Sequence, residues 1–211
     1  APRGVSVNDT IRYAAFHWVK AQHIAERIDA TTRFAKIDLR RYYRQFLCDP
    51  ADWHKLAFEL FGQEFWDIAM QWGLRNAVEI AHRFTTALIH IFNRHGVVDA
   101  LGTIDDFLLL ATAEELRELA RRGAPDNYER AGAILDRILG PDARNTKPGK
   151  SAAFCLCLVY CGTEWSARGA RIAPEFKTKL ELQLDALRTS KRAPAQETRN
   201  AIGRLVYAAT T

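Results

Sequence analysis

Between residues 97 and 111, two apolar runs, VVDALGTI and DFLLLA, meet at adjacent aspartates, Asp105 and Asp106. One continuous strand through this stretch would alternate its faces and bury one carboxylate of the pair among leucines. Two strands joined by a turn leave both carboxylates at the tip, so the stretch predicts a β-hairpin and with it an antiparallel sheet. Immediately upstream, the run from Asn76 to about Arg94 contains no Gly or Pro and carries Ala77, Ile80, Ala81, Phe84, Leu88, Ile91 and Phe92 on one helical face. A long amphipathic helix that stops at Gly96 therefore feeds the hairpin.

The remaining elements follow the same patterns. With 211 residues, of which 48% are apolar, the chain can bury a sizeable core as one lobed unit. Asn8 or Asp9 can cap a helix that uses Ile11, Ala14, Ala15, Trp18, Val19, Ala25 and Ile28 and ends near Ala30. RFAKIDL reads as a strand, with Phe34 and Ile37 preceding Asp38. HKLAFELFGQEFWDIAM reads as a hairpin turning at Gly62-Gln63. Its aromatics Phe65 and Trp66, with Trp53 and Trp72, are expected in the core, stacking on bases being the alternative. Past the breaker-rich GAPDN, YERAGAILDRIL predicts a helix, GPDARNTKPGKS a polar loop, and AAFCLCLVYCG and GARIA short strands. A helix from Pro174 to about Arg188 and a last one with Pro194 near its start complete the chain. The fold class is α+β: an antiparallel sheet with helices packed on one face, followed by a helical segment.

Lys and Arg outnumber Asp and Glu by 30 to 25, a net charge of +5 that tilts the partner toward polyanions. No apolar run reaches the roughly 18 to 20 residues of a membrane span, and APRGVSVNDT lacks the pattern of a secretion signal, so the chain reads as intracellular, with no membrane partner. Cys155, Cys157 and Cys161 would share a face on one continuous strand, which raises a thiolate metal site; their spacing matches no zinc pattern, and reduced structural thiols are expected.

Asp38 closes one predicted strand, while Asp105 and Asp106 sit at the tip of a later hairpin. If the two are neighbours in one sheet, three carboxylates converge on one edge. Bare carboxylates repel one another, so such a group needs a cation or a retained proton. Oxygen-only ligands select hard ions such as Mg²⁺, which keep coordination sites for substrate phosphates. Two such ions about 3.5 to 4 Å apart suit in-line attack of a hydroxyl on a phosphoryl group. An isolated Asp-Asp pair is more often a solvated turn; here its neighbours set it apart.

FAKIDLRRYYRQF, QWGLRNAVEIAHRF, GTIDDFLLLA, NTKPGKS and VYCG occur in an order and at a spacing that resemble the palm motifs of retroelement reverse transcriptases, closest to the DIRS-like, tyrosine-recombinase retrotransposon type. SVNDTI resembles the passage from fingers to palm, and IAPEFKTKLELQLDAL with IGRLVYAA resembles the start of a thumb. The resemblance implies a palm over residues 1–170 and the start of a thumb over residues 171–211. It implies that Asp38, Asp105 and Asp106 hold two Mg²⁺ ions, with Mn²⁺ as a substitute, and that Lys147 stands near the leaving pyrophosphate. Tyr43 would pack beneath the incoming sugar and exclude a 2′-hydroxyl. Gly73 would let backbone approach template and nucleotide, and Leu39, Arg40 and Trp72 complete the implied nucleotide site. Arg75 and Asn76, with the segment around Tyr160 to Gly162, would contact nucleic acid. Three departures stand out: Thr103 replaces an aromatic, Met70-Gln71-Trp72 precedes the glycine, and Ala77-Val78 follows where a small residue and proline are usual.

Two functions follow. One is RNA-directed DNA synthesis, adding deoxynucleotides to a primer 3′-hydroxyl on an RNA or DNA template, with the fingers supplied by a further segment or a protein partner. The other is a non-catalytic descendant that binds nucleic acid or serves as a scaffold in a larger assembly. Either would contact phosphates through Arg40, Arg41, Arg44, Lys177, Lys179, Lys191 and Arg204, with affinity that falls steeply with salt.

Overall fold

The computed structural model describes residues 6–12, 19–189 and 195–209, with side chains through residue 205. In chain order the elements are α1 (Val7–Thr10), α2 (Ala21–Ala25), β1 (Thr32–Asp38), β2 (Ala57–Leu60), β3 (Gln63–Trp66), α3 (Ala77–Arg94), β4 (Ala100–Thr103), β5 (Asp106–Thr112), α4 (Ala113–Arg121), α5 (Asn127–Leu139), β6 (Ala152–Cys155), β7 (Cys157–Tyr160), β8 (Thr163–Ser166), β9 (Gly169–Ile172), α6 (Pro174–Thr189) and α7 (Ala195–Ala209). Single 3₁₀ turns at Tyr42–Gln45 and Pro50–Leu56 lie between β1 and β2.

The central sheet is antiparallel, in the order β4-β5-β1-β6. Period-two alternation divides its residues between two cores. Ala35 and Ile37 of β1, with Phe107 and Leu109 of β5, face α3 and α5 and meet Ala81, Leu88, Phe92, Ala131 and Leu135. Phe34, Leu108 and Leu110 point the other way, where Ile24 of α2 and Leu158, Tyr160 and Trp165 of β7 and β8 cover them. The longer helices α3 and α5 pack on one face, as the sequence predicts, while the short α2 lies on the other. The opposite face is closed by the three-stranded sheet β7-β8-β9.

Helix α3 turns its small and apolar residues Ala77, Ala81, Thr85, Leu88 and Phe92 inward at helical spacing. Gly96 stops it in the left-handed region at φ 76°. There the Gly96 N–H donates to Asn93 at 3.2 Å and the Val97 N–H donates to Phe92 at 2.9 Å, satisfying two of the last carbonyls while Val97 is fully buried. Gly102 is a requirement of packing: a Cβ there would stand 2.6 Å from Thr85 Cγ2 and 2.9 Å from Ile89 Cδ1, so only glycine lets α3 lie this close to β4.

Several expectations need correction. Among the described residues, the stretch predicted as a single helix from Asn8 to about Ala30 holds two short helices; Ile11 and Arg12 lie outside helix, and Ala14, Ala15 and Trp18 fall outside the described residues. The β2–β3 hairpin turns at Phe61-Gly62, both at positive φ, and Gln63 already belongs to β3. Its aromatics do not enter the core: Trp66 is 58% exposed, Trp72 is 81% exposed, and Phe58 and Phe65 stack on each other at the surface. The hairpin sits apart from the main sheet, so no apolar layer covers it. Helix α4 is not among the expected elements; it is set by a reciprocal cap between Thr112 and Glu115 (3.1 and 2.7 Å) and buries no residue fully. Strand β8 was likewise not anticipated, although Thr163 and Trp165 are buried. Cys155 and Cys157 lie on different strands, separated by a bend at Leu156, so the CxCxxxC run has no common face, and its thiols form no disulfide. Among the described residues, no helix is long and apolar enough to cross a membrane.

Candidate active site

The register of β1 on β5 pairs Asp38 with Asp106 as direct cross-strand neighbours. By strand parity both lie on the face that carries Lys36, Phe34 and Leu108. The β4–β5 turn is Ile104-Asp105: Asp105 lies in the turn as expected, while Asp106, expected there too, is the first residue of β5, paired also with Thr103. The turn is pinned on both sides: Leu39 donates its N–H to the Asp105 carbonyl at 2.8 Å, and the Thr85 hydroxyl bonds the Ile104 carbonyl. Ile104 holds φ at 55°, a conformation that a β-branched residue rarely adopts, directly before the carboxylates.

Asp38 is only 5% exposed, and every polar group it carries is bonded. Its N–H donates to Ser151 Oγ at 3.1 Å, and its carbonyl accepts the Asn145 N–H at 2.8 Å. Asn145 Nδ2 donates to Oδ1 at 2.7 Å, and Lys150 Nζ donates to Oδ2 at 3.2 Å. The loop after α5 is thus laid against β1, an arrangement extended by the Leu39–Arg144 bridge and the Arg40 N–H bond to Ala143 at 2.7 Å. Lys36 Nζ donates to the carbonyls of Gly149 (3.0 Å) and Val159 (3.1 Å), joining the same loop to β7.

The electrostatics follow from this crowding. Burial pushes the Asp106 carboxyl up to about 7, the charges of Asp105 and Asp38 push the same way, and Lys36 and Lys150 oppose them. Asp105 is also raised, first by burial and then by Asp38, with its own backbone N–H and Lys150 opposing. Lys150 is raised by its bond to Asp38. Tyr43 is raised first by burial and then by the charge of Asp105, and it packs against the helix-side core.

The other residues implied by the resemblance are distributed unevenly. Tyr160 is buried, and its hydroxyl lies 3.1 Å from Thr103 Oγ1 and 3.3 Å from the Asp106 carbonyl, so it borders the carboxylates. Gly162 forms the β7–β8 turn at φ 78°, and its carbonyl accepts the Ala173 N–H. Leu39 is 2% exposed and packs in the core, leaving only its backbone at the site. Trp72, Gly73, Arg75 and Asn76 form the segment leading into α3, tied to the N-terminal residues: Asn8 Nδ2 donates to the Gly73 carbonyl at 2.9 Å, and Asn8 Oδ1 accepts the Arg75 N–H at 2.7 Å. Arg40 is exposed and lines a shallow cavity with Arg41 and Arg44. Arg44 is also paired with Asp67, Lys177 with Glu181, and Arg204 with Gln183, while Lys191 lies outside the described residues.

Lys147 is exposed, and its backbone N–H bonds Asn145 Oδ1 at 3.3 Å; the lysine that reaches Asp38 is Lys150. Lys36, Asn145, Lys150 and Ser151 belong to the site although the motifs do not single them out. Only Lys36 left a readable trace, since it stands two residues before Asp38 on one strand and must share its face.

Among the described residues, no three His, Cys, Asp or Glu side chains are grouped to hold a metal ion. Mg²⁺ is commonly bound through one or two carboxylates, with water and substrate phosphate completing its shell. The paired Asp38 and Asp106 fit that smaller requirement, and the ammonium on Asp38 Oδ2 marks a point where positive charge is already favoured.

No protein-family model and no curated protein matches the sequence. The sheet order, the two helices behind it and the carboxylate hairpin make up a reverse-transcriptase-like fold. The chain is similar in particular to the foamy viral protease-reverse transcriptase bound to double-stranded DNA, over 96% of its length, with TM-score 0.66 and 16% identity. The same viral protein bound to an RNA/DNA hybrid matches over 96% of this chain, with TM-score 0.65 and 16% identity. The native prototype foamy virus protein matches with TM-score 0.56 and 15% identity. This chain spans 38%, 25% and 27% of those three chains.

Proposed function

We propose that this chain is the palm and the start of the thumb of a retroelement RNA-directed DNA polymerase. On this reading residues 1–170 form the palm and 171–211 begin the thumb, and the retrotransposon type is the DIRS-like one to which the motifs are closest. The observation that carries it is the direct pairing of Asp38 with Asp106 across two strands, with Asp105 in the adjoining turn. Bound Mg²⁺, or Mn²⁺ in its place, would neutralise charge on the phosphates and lower the pKa of the attacking hydroxyl. Asp38 and Asp106 would hold it, and Asp105 in the adjoining turn would add its charge. Tyr43, half-buried against the core, would lie under the sugar and favour deoxynucleotides on steric grounds. Asn145 holds the Asp38 carboxylate at Oδ1 while Ser151 fixes the Asp38 backbone N–H, the kind of preorganisation that catalysis needs.

Primer extension with a primed template, deoxynucleoside triphosphates and Mg²⁺ tests the reading, comparing this chain, joined where necessary to a segment supplying fingers, with its Asp105→Asn variant. Extension that depends on Asp105 is expected; equal extension by both proteins removes the claim.

One observation favours the second reading, a scaffold or nucleic-acid-binding descendant. The β2–β3 hairpin and the segment after it expose Phe58, Leu60, Phe61, Trp66 and Trp72 together, and Phe61 is 95% exposed. Such surfaces mark contact with another body. Calorimetric titration with Mg²⁺ separates the two, since a scaffold has no need of binding that is lost in Asp38→Asn.

A further inference from the structure

We propose that Lys150 is a tethered counter-cation: its ammonium occupies Asp38 Oδ2 until a divalent cation displaces it, so that it sets the metal affinity of the site. The inference rests on the metal-binding reading of Asp38 and Asp106 and adds to it a competitor built into the chain.

Three observations support it. First, the two Asp38 oxygens are held differently. Oδ1 accepts from Asn145, whose own backbone N–H is bonded to the Asp38 carbonyl, so this donor is fixed at two points. Oδ2 accepts from Lys150, a flexible side chain that is 53% exposed and loses little by returning to water. The carboxylate can therefore exchange its partner at Oδ2 while Oδ1 keeps its orientation. Second, the backbone beside Lys150 is anchored independently of that contact. Ser151 Oγ accepts the Asp38 N–H, and Lys36 grips the Gly149 carbonyl. The Lys150 ammonium can leave without releasing the loop. Third, the carboxylates are crowded and buried enough that one of them alone would demand a neutralising charge. In the free protein the ammonium of Lys150 supplies it at Asp38, and a cation arriving there must outcompete an intramolecular partner.

The test is carried out on the full chain with Mn²⁺ alone as probe, its affinity read from the free-ion electron paramagnetic resonance signal. Lys150→Met, which keeps the stem and removes the ammonium, should bind Mn²⁺ roughly tenfold more tightly, about the worth of one charge-assisted hydrogen bond. Lys150→Arg keeps the charge and should bind no more tightly than the unaltered chain. Because removing a nearby positive charge favours a cation even without displacement, a second measurement is needed. With Mg²⁺, the ε-methylene NMR resonance of Lys150 should move to the position of a free lysine with the same midpoint as metal binding. A Lys150 resonance that stays still while the metal binds overturns the proposal, as does equal affinity in Lys150→Met. If neither the unaltered chain nor Lys150→Met binds Mn²⁺, the metal reading of the aspartates falls, and this inference falls with it.

Discussion

Asp106→Asn should stabilise the fold, and the gain should grow with pH. Burial and the neighbouring aspartates lift the folded-state value of Asp106 from 3.8 to about 7. Between those values the folded chain binds more protons than the unfolded chain, so stability falls as pH rises through the window and levels off above it. A displacement of about three pH units at 1.36 kcal/mol each sets a ceiling of about 4 kcal/mol above neutrality. Asparagine has the same shape and no charge, and its amide can donate toward Asp38, so most of that deficit should disappear. Urea unfolding at pH 5 and pH 8 reads the difference: the margin of Asp106→Asn over the unaltered chain should widen by about 2 to 3 kcal/mol between the two. A margin that does not change with pH, or a variant less stable at pH 8, would show that the carboxylate is not held in the environment described. Added Mg²⁺ should narrow the margin at pH 8 by stabilising the unaltered chain.

Three further outcomes are expected. Gly102→Ala should destabilise by about 1 to 3 kcal/mol in thermal unfolding, because the Thr85 methyl it strikes belongs to a side chain whose hydroxyl is bonded to Tyr42 and Ile104 and cannot rotate away. Tyr160→Phe should cost about 1 kcal/mol by the same measurement, since it removes the hydroxyl shared by Thr103 and the Asp106 carbonyl. In fluorescence anisotropy, affinity for a primer–template duplex should fall linearly on a logarithmic salt scale, with Arg40→Ala and Arg41→Ala each reducing the slope by about one.

What the sequence disclosed was decided by short-range pattern. Helix α3 was readable because its inward residues recur at helical spacing over 18 residues and a glycine stops it. The β4–β5 hairpin was readable because two apolar runs flank two charges. Lys150 was not readable: it reaches Asp38 only because the loop after α5 is laid along β1 by Asn145 and the Leu39–Arg144 bridge, contacts that span over a hundred residues. Lys147 stands three residues away in the same polar run, and nothing local distinguishes the two. The hairpin aromatics misled for the opposite reason, since Phe65 and Trp66 have the composition of a core while no layer lies over β2 and β3. Helix α4 carries its local marks in the Thr112–Glu115 cap and in Leu116 and Leu119 one turn apart, although it buries no residue fully.

The residue after Asp106 is Phe107, fully buried with its ring 5.3 Å from that of Phe92 on α3. Because neighbouring strand residues face opposite ways, sliding β5 by a single position would send this ring out of the helix-side core and carry the carboxylate beside Asp38 to the wrong side of the sheet. A hydrophobic plug in the core therefore acts as the detent for the acidic pair, and a lesion there, such as Phe107→Ala, would loosen the register of the two carboxylates from behind while leaving every charged residue intact.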